Sequence, residues 1–576
     1  VEPNQFLGLE LNPRAAVIAE LVLWIGWLRY RLANTPEAIG TPVLPPLNNI
    51  NFGRHGGYDA VIVRDETGQP DLKNPRTPAW PEAEFIIGNP PFIGKGKDMR
   101  EALGDDYVDV LPTLYSRVPR SADYVMYWWD RAAMELSKQA RRIGFISTNS
   151  IKQVFNRAVI ESHLSDLEHP VHLCFAIHDH PWRAGVRDAA VVRTCMTVAA
   201  KGQGVGSLLH VKSETALETD DPVIEFTVSQ GVIHSDLSVG ANAGAAVSLR
   251  ANQAISWNGV MLSGRGFLPN EADVRAIKEA GESAILRKFI SGKDVTGRDR
   301  ARLIIDPNGM AEEILRAKFP TSYSILLRRV FEERKKKRDD AFRTKWWLFG
   351  RNRSDLRDAV ANLTRYIIVP ETSVFRLFQF VAADILPEHR LVCIASEDAF
   401  VLGVLLSRVH VDWSLRTGGT LEDRPTYTKS RCLDPFPFPE PSPACRDVVR
   451  ALAEEIDKTR QIALTANGRL TTTGLYRLVE QVRSGAELSP AREAEVTKAR
   501  ARILAKLHDD LDGAVASAYG WTWPLAPAEV IDRLVRLNAE RAGEEAQGVV
   551  RWLRPGYQEA RLSQQGERDV VEAVTE

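Results

Sequence analysis

Residues 85–94 of the chain read Phe-Ile-Ile-Gly-Asn-Pro-Pro-Phe-Ile-Gly. The apolar, β-branched start of this run is typical of a strand inside a sheet that is covered on both faces. Proline lacks an N–H and has a fixed φ, so Pro90 and Pro91 end the strand at its carboxyl edge, where open α/β sheets bind ligands. There, the Asn89 side-chain oxygen and the Pro90 carbonyl can accept hydrogen bonds from one exocyclic NH2 group. The ring of Phe92 can stack on the base that carries this group.

Two interpretations of this motif are open. Asn-Pro is a common turn, so residues 89–92 could serve only to end the strand. With the strand in front of it, the motif resembles the catalytic Asn-Pro-Pro-aromatic sequence of amino-group DNA methyltransferases, in particular those that modify adenine N6. We favour the second interpretation, and the rest of the chain adds to it.

The composition is that of a globular protein. Of 576 residues, 44% are hydrophobic and 26% charged, and the formal net charge is −1. The five cysteines form no Cys-x-x-Cys pair, which predicts a cytoplasmic location and neither a structural zinc site nor a disulfide framework. No run reaches the roughly 18 apolar residues of a membrane helix, so we expect no membrane partner. The longest run, residues 15–28, is interrupted by Glu20 and predicts a buried helix.

Strands and helices alternate over the first part of the chain. Apolar runs predict strands, and helical patterns such as that of Asp123–Gln139 lie between several of them. This alternation predicts an α/β fold with a parallel, doubly wound sheet. The predicted strands are Leu7–Leu11, Ala60–Val63, Phe85–Gly88, Arg142–Ser147, Leu173–Ile177 and Val191–Val198.

Three domains are expected, covering residues 1–225, 226–440 and 441–576. The second has a mixed α/β pattern and ends at the proline-rich run 435–441, which predicts a stiff linker. The third is helical by its hydrophobic period. Four of its residues are expected to share one helix face: Leu504, Leu507, Leu511 and Val515.

Two acidic residues are candidates for binding a nucleoside cofactor. Glu10 ends an apolar run, and an acid at this place in a Rossmann-like sheet accepts hydrogen bonds from both hydroxyls of a ribose. The alternative is a charge at the N-terminus of the helix that Asn12 and Pro13 start. Asp59 precedes another predicted strand and, in the methyltransferase interpretation, would accept a hydrogen bond from the adenine amino group of the cofactor. Its alternative is an ordinary Asx turn.

Basic residues in the second predicted domain are candidates for binding DNA. Lys and Arg neutralise phosphates, so each contact makes the affinity fall as salt rises. The alternative is a solvated helix face, because Glu332 and Glu333 partly cancel the charge. Trp346 and Trp413 either lie near the DNA or belong to the core. The basic candidates are Arg334, Lys335, Lys336, Lys337, Arg408 and Arg424.

Taken together, the motifs resemble the MmeI-like (type IIL) adenine-specific DNA methyltransferases. This family includes fused restriction–modification enzymes and stand-alone methylases of phage-defence systems such as DISARM. The resemblance extends over essentially the whole chain, and the runs that carry it are 8–16, 24–28, 87–94, 148–151, 407–410, 436–439, 507–512 and 518–521.

The resemblance implies a Rossmann-like class I methyltransferase domain, an α/β target-recognition domain and a helical C-terminal domain. It also implies methyl transfer from S-adenosyl-L-methionine to adenine N6 in double-stranded DNA, within a restriction–modification or phage-defence system and without a metal. The implied catalytic residues are Asn89, Pro90, Pro91 and Phe92, and the implied cofactor-binding residues are Glu10, Asn12 and Asp59.

The sequence departs from the family pattern in one place. The family carries a glycine-rich turn after its first strand, which cradles the methionine part of the cofactor because only glycine lets the backbone approach so closely. No such turn occurs here. We therefore expect the sheet to lack its first strand, and an upstream segment, a second polypeptide or another defence-system subunit to complete it. The alternative is a catalytically incomplete DNA-binding specificity fragment.

Overall fold

The computed structural model of the chain describes residues 2–34, 45–54, 57–136, 138–182, 192–217, 222–337, 340–421, 424–485 and 487–563. The chain forms two compact units, Val1–Gly240 and Ala241–Glu576. The first predicted domain boundary, at 225/226, lies inside a strand of the first unit. The second, at 440/441, lies within the second unit and stays a prediction.

A six-stranded sheet forms the centre of the first unit. Its strands are β1 (Phe85–Gly88), β2 (Arg142–Thr148), β3 (Val171–Trp182), β4 (Val192–Lys201), β5 (Gly206–Thr215) and β6 (Val223–Gly231). They are ordered β1-β2-β4-β3-β5-β6 across the sheet. Four of the predicted strands are thereby confirmed as β1 to β4, although Val191 lies outside the described residues.

The sheet is mixed, so the prediction of a purely parallel sheet is wrong. β1 is parallel to β2, with Gly88 opposite Phe145, and β3 is parallel to β5. β4 runs antiparallel to both of its neighbours, and β6 is antiparallel to β5. β4 follows β3 after a short connection, and such a connection returns a strand antiparallel because a parallel neighbour needs a longer crossover.

The described residues of this unit form five α-helices: α1 (Pro13–Asn34), α2 (Lys97–Leu103), α3 (Asp105–Leu114), α4 (Val125–Leu136) and α5 (Val154–Leu164). α4 packs against β2 and α5. Trp129 lies on the buried face of α4. It is 1% exposed and donates its indole N–H to Thr197 Oγ1 on β4 at 3.3 Å.

The predicted strand Ala60–Val63 is a turn. The carbonyls of Ala60 and Val61 accept hydrogen bonds from Trp80 Nε1 at 3.0 Å and Tyr115 OH at 2.8 Å. The strand prediction is wrong because these side chains occupy backbone groups that a strand would offer to its neighbour.

The predicted strand Leu7–Leu11 is reduced to one parallel bridge, between Gly8 and Ile50. Farther along, the backbone groups of Glu10 are bonded by the side chain of Asn51 instead of a neighbouring strand. The strand prediction is wrong here too, because a side chain takes backbone groups that a strand would offer to its neighbour.

α1 is exposed, although its sequence predicts a buried helix. Of its 22 residues, all within the described ranges, only Ala16 is buried. Val17 is 69% exposed and Leu21 57%. The prediction is wrong because no described segment covers the apolar residues of this helix. Among the described residues, no helix has the length and apolar character needed to cross a bilayer.

The second unit is mixed α/β at its start and helical at its end. Its strands are β7 (Ser256–Asn258), β8 (Leu286–Ile290), β9 (Leu303–Ile305), β10 (Arg365–Pro370), β11 (Gln379–Ala382), β12 (Leu386–Pro387), β13 (Leu391–Ile394), β14 (Gly419–Leu421) and β15 (Arg424–Thr426). They form a sheet in the order β11-β10-β13-β7, a second in the order β12-β8-β9, and the hairpin β14–β15.

The helices of the second unit are α6 (Glu271–Glu279), α7 (Gly292–Thr296), α8 (Glu312–Lys318), α9 (Pro320–Leu326), α10 (Glu332–Arg334), α11 (Asp340–Thr344), α12 (Ser354–Val360), α13 (Ala399–Leu406), α14 (Arg408–Thr417), α15 (Lys429–Cys432), α16 (Pro443–Ala466), α17 (Thr472–Arg483), α18 (Pro490–Lys498), α19 (Ala501–Ala518) and α20 (Pro527–Ala546). The helical C-terminal region is thus confirmed. Its predicted apolar face lies on α19, where Leu504, Leu511 and Val515 are fully buried.

The proline-rich run 435–441 packs into the second unit. Phe436 is fully buried. The side-chain amide of Asn252 donates to three carbonyls at 2.8 to 3.0 Å, including that of Phe436. Asn538 on α20 donates to the Pro435 carbonyl at 2.7 Å. The run forms neither helix nor strand, as the sequence predicts, and the carbonyls of Pro435 and Phe436 are bonded by the buried side-chain amides of Asn538 and Asn252. Its role as a linker between domains stays a prediction.

Candidate active site

The loop after β1 carries the predicted catalytic motif. Asn89 and Phe92 are exposed, Phe92 by 42%, whereas Pro90 is buried. The far end of the loop is fixed, since the Tyr124 N–H donates to the Ile93 carbonyl at 3.1 Å. The structure therefore holds this loop at its ends while the amide of Asn89 and the ring of Phe92 face outward.

Glu10 is held through its backbone and its carboxylate. The Asn51 Oδ1 accepts from the Glu10 N–H and the Asn51 Nδ2 donates to the Glu10 carbonyl, both at 2.8 Å. The half-buried Glu10 carboxylate accepts from the Asn12 N–H at 2.7 Å, and Asn12 Oδ1 accepts from the Arg14 N–H at 3.0 Å. Asn12 thus caps α1, as the sequence predicts. The cofactor roles of Glu10 and Asn12 stay predictions.

Two exposed apolar side chains belong to residues that are next in sequence to Glu10 and to its hydrogen-bonding partner Asn51. Leu11 is 49% exposed, and Phe52, which follows Asn51, is 42% exposed. Phe52 has a φ of 55°, and its ring makes an edge contact with Tyr58 at 5.7 Å between centroids. A carboxylate beside exposed apolar surface suits a nucleoside, because the diol can bond to oxygen and the flat base can lie on carbon.

Asp59 is buried and forms the Asx turn that was the alternative to cofactor binding. Its Oδ1 accepts from the N–H groups of Val61 at 2.8 Å and Ile62 at 3.1 Å. The hydroxyl of Tyr107 lies 3.1 Å from its Oδ2. Asp59 therefore has a structural role, and its predicted contact with the cofactor stays a prediction.

Hydrogen bonds connect the predicted cofactor residues with the catalytic loop. The N–H of Tyr58, the neighbour of Asp59, donates to the Glu10 carbonyl at 2.9 Å. On its other side, Asp59 is bonded by Tyr107, whose hydroxyl lies 2.8 Å from that of Tyr124. Tyr124 in turn holds the catalytic loop through the Ile93 carbonyl. The structure thus brings the three separate sequence motifs into one connected region.

The two tyrosines stay protonated in this region. Burial raises the pKa of the Tyr107 hydroxyl far above its ordinary value of 10, and burial does the same for the pKa of Tyr124. Tyr107 therefore donates its single proton to the Asp59 carboxylate, which only accepts, and Tyr124 donates to Tyr107.

Sequence reasoning missed Asn51, Tyr107 and Tyr124. Asn51 lies 41 positions from Glu10, and Tyr107 lies 48 positions from Asp59. Local patterns do not report contacts over such separations. One signal was available in hindsight: Asn51 is an asparagine next to Phe52 and Gly53, and asparagine and glycine tolerate the left-handed backbone found there.

Arg334 is not available to DNA. It is 1% exposed, and its guanidinium donates to the carbonyls of Trp346 at 3.1 Å, Leu348 at 2.5 Å and Leu262 at 2.6 Å. Trp346 is also buried, as is Trp413. The predicted DNA contact of Arg334 is wrong because its donors are taken up inside the protein, and both tryptophans belong to the core.

The other predicted DNA-binding residues are on the surface. Lys336, Arg408 and Arg424 are exposed. Lys335 pairs with Glu332 at 2.5 Å, and Lys337 lies 3.9 Å from Glu333. Their positions are compatible with phosphate contacts, and the assignments stay predictions.

Two family models match the chain in consecutive regions. The model of the MmeI DNA-methyltransferase domain matches residues 1–209, and that of the MmeI target recognition domain matches residues 252–440. Together these regions cover more than half of the chain. The chain belongs to the MmeI-like family.

Two known proteins are similar to this chain over most of its length. DNA methyltransferase A of Bacillus subtilis (strain 168) is 23% identical over 474 residues, which cover 79% of this chain and 49% of that protein. The type IIL restriction–modification enzyme MmeI, solved in complex with DNA, matches with a TM-score of 0.60 and 21% identity. That match covers 80% of this chain and 57% of the solved one.

The MmeI match shows the fold of this chain as a Rossmann-like methyltransferase domain followed by a target-recognition domain. The chain spans about half the length of the curated relative that it matches.

Proposed function

We propose that this protein transfers a methyl group from S-adenosyl-L-methionine to N6 of adenine in double-stranded DNA. It would act in the cytoplasm within a restriction–modification or phage-defence system. The observation that supports this most directly is the anchored loop after β1, which presents the Asn89 amide and the Phe92 ring outward. The match to the MmeI methyltransferase domain supports the reaction class.

The residues of the loop have separate tasks in this reaction. Adenine in a duplex hides its amino group, so the base must leave the stack. The Asn89 Oδ1 and the Pro90 carbonyl then accept one hydrogen each from N6, which directs the nitrogen lone pair away from them. Phe92 stacks on the extruded base, a contact worth about 1–3 kcal/mol, and Pro91 keeps the loop rigid. The N6 nitrogen gains the methyl group and afterwards loses one proton to water.

The residues present fit the nucleoside half of the cofactor. When bound, the cofactor supplies an electrophilic methyl group on its sulfonium sulfur. Glu10 offers carboxylate oxygens for a ribose diol, Asp59 offers an acceptor for the adenine amino group, and Leu11 and Phe52 offer apolar surface. The methionine half would be held by the glycine-rich turn that this sequence lacks.

The test is methylation by an Asn89→Ala variant. DNA of mixed sequence is incubated with isotope-labelled S-adenosylmethionine, and labelled N6-methyladenine is measured by mass spectrometry after digestion. We expect Asn89→Ala to lower the rate by at least about 100-fold, as loss of a key transition-state hydrogen bond does, with DNA affinity unchanged. Asn74→Ala, which changes an exposed asparagine of the same unit, is the matched control. Equal rates for Asn89→Ala and wild type would contradict the proposal.

A second candidate is a DNA-binding specificity fragment without catalysis, which is favoured by the burial of Asp59 and the bonds of its carboxylate to Val61, Ile62 and Tyr107. Calorimetry separates the two candidates. If the chain binds DNA but not S-adenosylmethionine, even with an added completing segment, the fragment hypothesis stands and the enzyme hypothesis fails.

We also propose that a further polypeptide segment completes the sheet along the outer edge of β1. This segment would belong to a longer form of the chain or to a second defence-system subunit. Among the described residues β1 pairs only with β2, and its Phe85 and Ile87 are 56% and 84% exposed. An unpaired strand edge with exposed apolar residues is a template for another strand. The exposed apolar residues of α1 offer further surface for the same segment.

A further inference from the structure

We infer that Tyr107 and Tyr124 are positioning residues, which fix the Asp59 carboxylate relative to the loop that carries Asn89. This inference rests on the proposed methyl transfer and extends it to residues that touch neither the base nor the cofactor in that proposal. Its basis is one continuous set of hydrogen bonds from the carboxylate to the loop.

The first step is the state of the Asp59 carboxylate. Its Oδ1 is held by the N–H groups of Val61 and Ile62, and the Tyr107 hydroxyl lies 3.1 Å from Oδ2 and 3.3 Å from Oδ1. Because a carboxylate is planar, the two amides on Oδ1 already restrict its rotation about the Cβ–Cγ bond. Tyr107 adds the bond to Oδ2, so the tyrosine and the two amides together set the plane of the carboxylate.

The second step is the direction of the hydrogen bonds that join Tyr124, Tyr107 and Asp59. A carboxylate accepts only, so the Tyr107 proton points to Asp59 and its oxygen is left to accept from Tyr124, 2.8 Å away. Both rings are buried, at 5% and 4% exposure, so water does not compete for these bonds. Loss of either hydroxyl leaves a buried polar partner without its bond, which costs more than the same loss at the surface.

The third step connects the pair to the catalytic loop. The backbone N–H of Tyr124 donates to the Ile93 carbonyl at 3.1 Å. The preceding carboxylate of Asp123 accepts from the Ser150 hydroxyl and, at 2.8 Å, from Asn156 Nδ2, so the loop after β2 is tied to the same point. Tyr124 is therefore fixed with respect to the loops after β1 and β2. Its hydroxyl bonds that of Tyr107, which in turn bonds the Asp59 carboxylate.

The consequence concerns alignment. Methyl transfer requires donor carbon and acceptor nitrogen in line at short distance, and misplacement by about 1 Å can cost about 100-fold in rate. In the proposed site Asp59 orients the adenine end of the cofactor and the Asn89 loop orients the acceptor. A rigid connection between these two groups is what alignment needs.

The test compares three conservative variants. Tyr107→Phe and Tyr124→Phe each remove one hydroxyl from the pair. Tyr115→Phe is the matched control, because Tyr115 is equally buried and bonds the same turn but reaches the Val61 carbonyl instead of the Asp59 carboxylate. Tyr124→Phe and Tyr115→Phe each lose one buried hydrogen bond, and Tyr107→Phe loses two. A purely structural role therefore predicts the same behaviour for Tyr124→Phe and Tyr115→Phe.

Cofactor binding and turnover give the first readout. We expect Tyr107→Phe to weaken binding of S-adenosylhomocysteine, measured by calorimetry, by about tenfold, the effect of one hydrogen bond to a charged group. KM for S-adenosylmethionine should rise with it, and KM for DNA should stay unchanged. Tyr124→Phe should give a smaller change in the same direction, and Tyr115→Phe none. Equal effects of Tyr107→Phe and Tyr115→Phe on binding would overturn the inference.

Hydrogen exchange gives a second readout that needs no cofactor. If Tyr107 sets the Asp59 carboxylate, Tyr107→Phe should speed exchange at the amides of Val61 and Ile62, whereas Tyr115→Phe should affect these amides less. Unchanged protection in Tyr107→Phe would also overturn the inference.

Failure of the proposed function itself gives a different result. Wild type would then neither bind the cofactor nor methylate DNA, while the hydrogen-exchange pattern of the variants could still be as expected.

Discussion

The side-chain amide of Asn51 bonds both backbone groups of Glu10, accepting from its N–H and donating to its carbonyl at 2.8 Å each. Asn51 is fully buried and has a φ of 53°. One side chain thus does for Glu10 what a neighbouring strand does in a regular sheet. It also fixes the direction in which the Glu10 side chain leaves the backbone.

Asn51→Asp is expected to destabilise the first unit and weaken cofactor binding. The change keeps the acceptor and the size of the side chain but removes the donor to the Glu10 carbonyl, at a cost of about 1–3 kcal/mol. The check is the free energy of unfolding of the first unit together with calorimetry of S-adenosylhomocysteine. Asn74→Asp, at an exposed position, serves as the control. An unchanged free energy of unfolding in Asn51→Asp would show that the pair is not important.

Two neighbouring basic residues are expected to affect different properties: Lys336 the affinity for DNA, and Arg334 the thermal stability of the second unit. Lys336→Gln should weaken binding to DNA of any sequence and reduce the slope of log affinity against log salt by about 1, because one phosphate contact is lost. Arg334→Gln should lower the thermal midpoint of the second unit, because buried carbonyls lose their donors. Fluorescence anisotropy at several salt concentrations and a thermal scan measure the two effects. A normal salt slope for Lys336→Gln would remove it from the proposed interface.

Stability of the second unit is expected to depend on the ionisation of Asp512. Burial raises the pKa of this carboxyl to about 7, although Arg408 donates its backbone N–H to it at 2.8 Å. The folded state therefore holds a proton that the unfolded state releases near pH 4. The stabilisation is complete below pH 4 and is lost as the pH rises to about 7.

Asp512→Asn should remove this dependence, since asparagine keeps the acceptor oxygen without a charge. We expect its thermal midpoint to match wild type at pH 4 and to exceed it by about 2–4 °C at pH 8. Asp509→Asn, which changes an exposed acid beside the same Arg483, is the control. If the two variants have the same pH profile, the buried carboxyl is not the cause.

Ile87→Lys is expected to leave the first unit folded, because Ile87 is 84% exposed on β1. A charge at this position disfavours pairing of a further strand along that edge. The variant should no longer bind the completing segment in sedimentation experiments and should no longer gain activity from it. Glu84→Lys, just before the strand, controls for the added charge. Normal stimulation of Ile87→Lys would place the segment elsewhere.

The sequence predicted those parts of the molecule that depend on local patterns. β1 and the Asn89 loop followed from an apolar run and two prolines, and α1 followed from its Asn12–Pro13 start. The α19 face followed from the helical period of Leu504 and its neighbours. In each case the residues that decide the structure lie within a few positions of one another.

Long-range partners explain the failures. Ala60–Val63 has the composition of a strand, but Trp80 and Tyr115 take its carbonyls. Arg334 stands in a run of exposed lysines, but its guanidinium bonds carbonyls in distant segments. Neither partner is visible in the local sequence, so composition alone assigned both segments wrongly.

Phe436 is buried, and the amides of Asn252 and Asn538 bond the chain beside it. This arrangement has a consequence for the design of chimeric proteins. A junction placed at the proline-rich run would separate these amides from the carbonyls that they satisfy and would open the interior around Phe436. A recombined protein should therefore inherit residues 241–563 from one parent as a single piece.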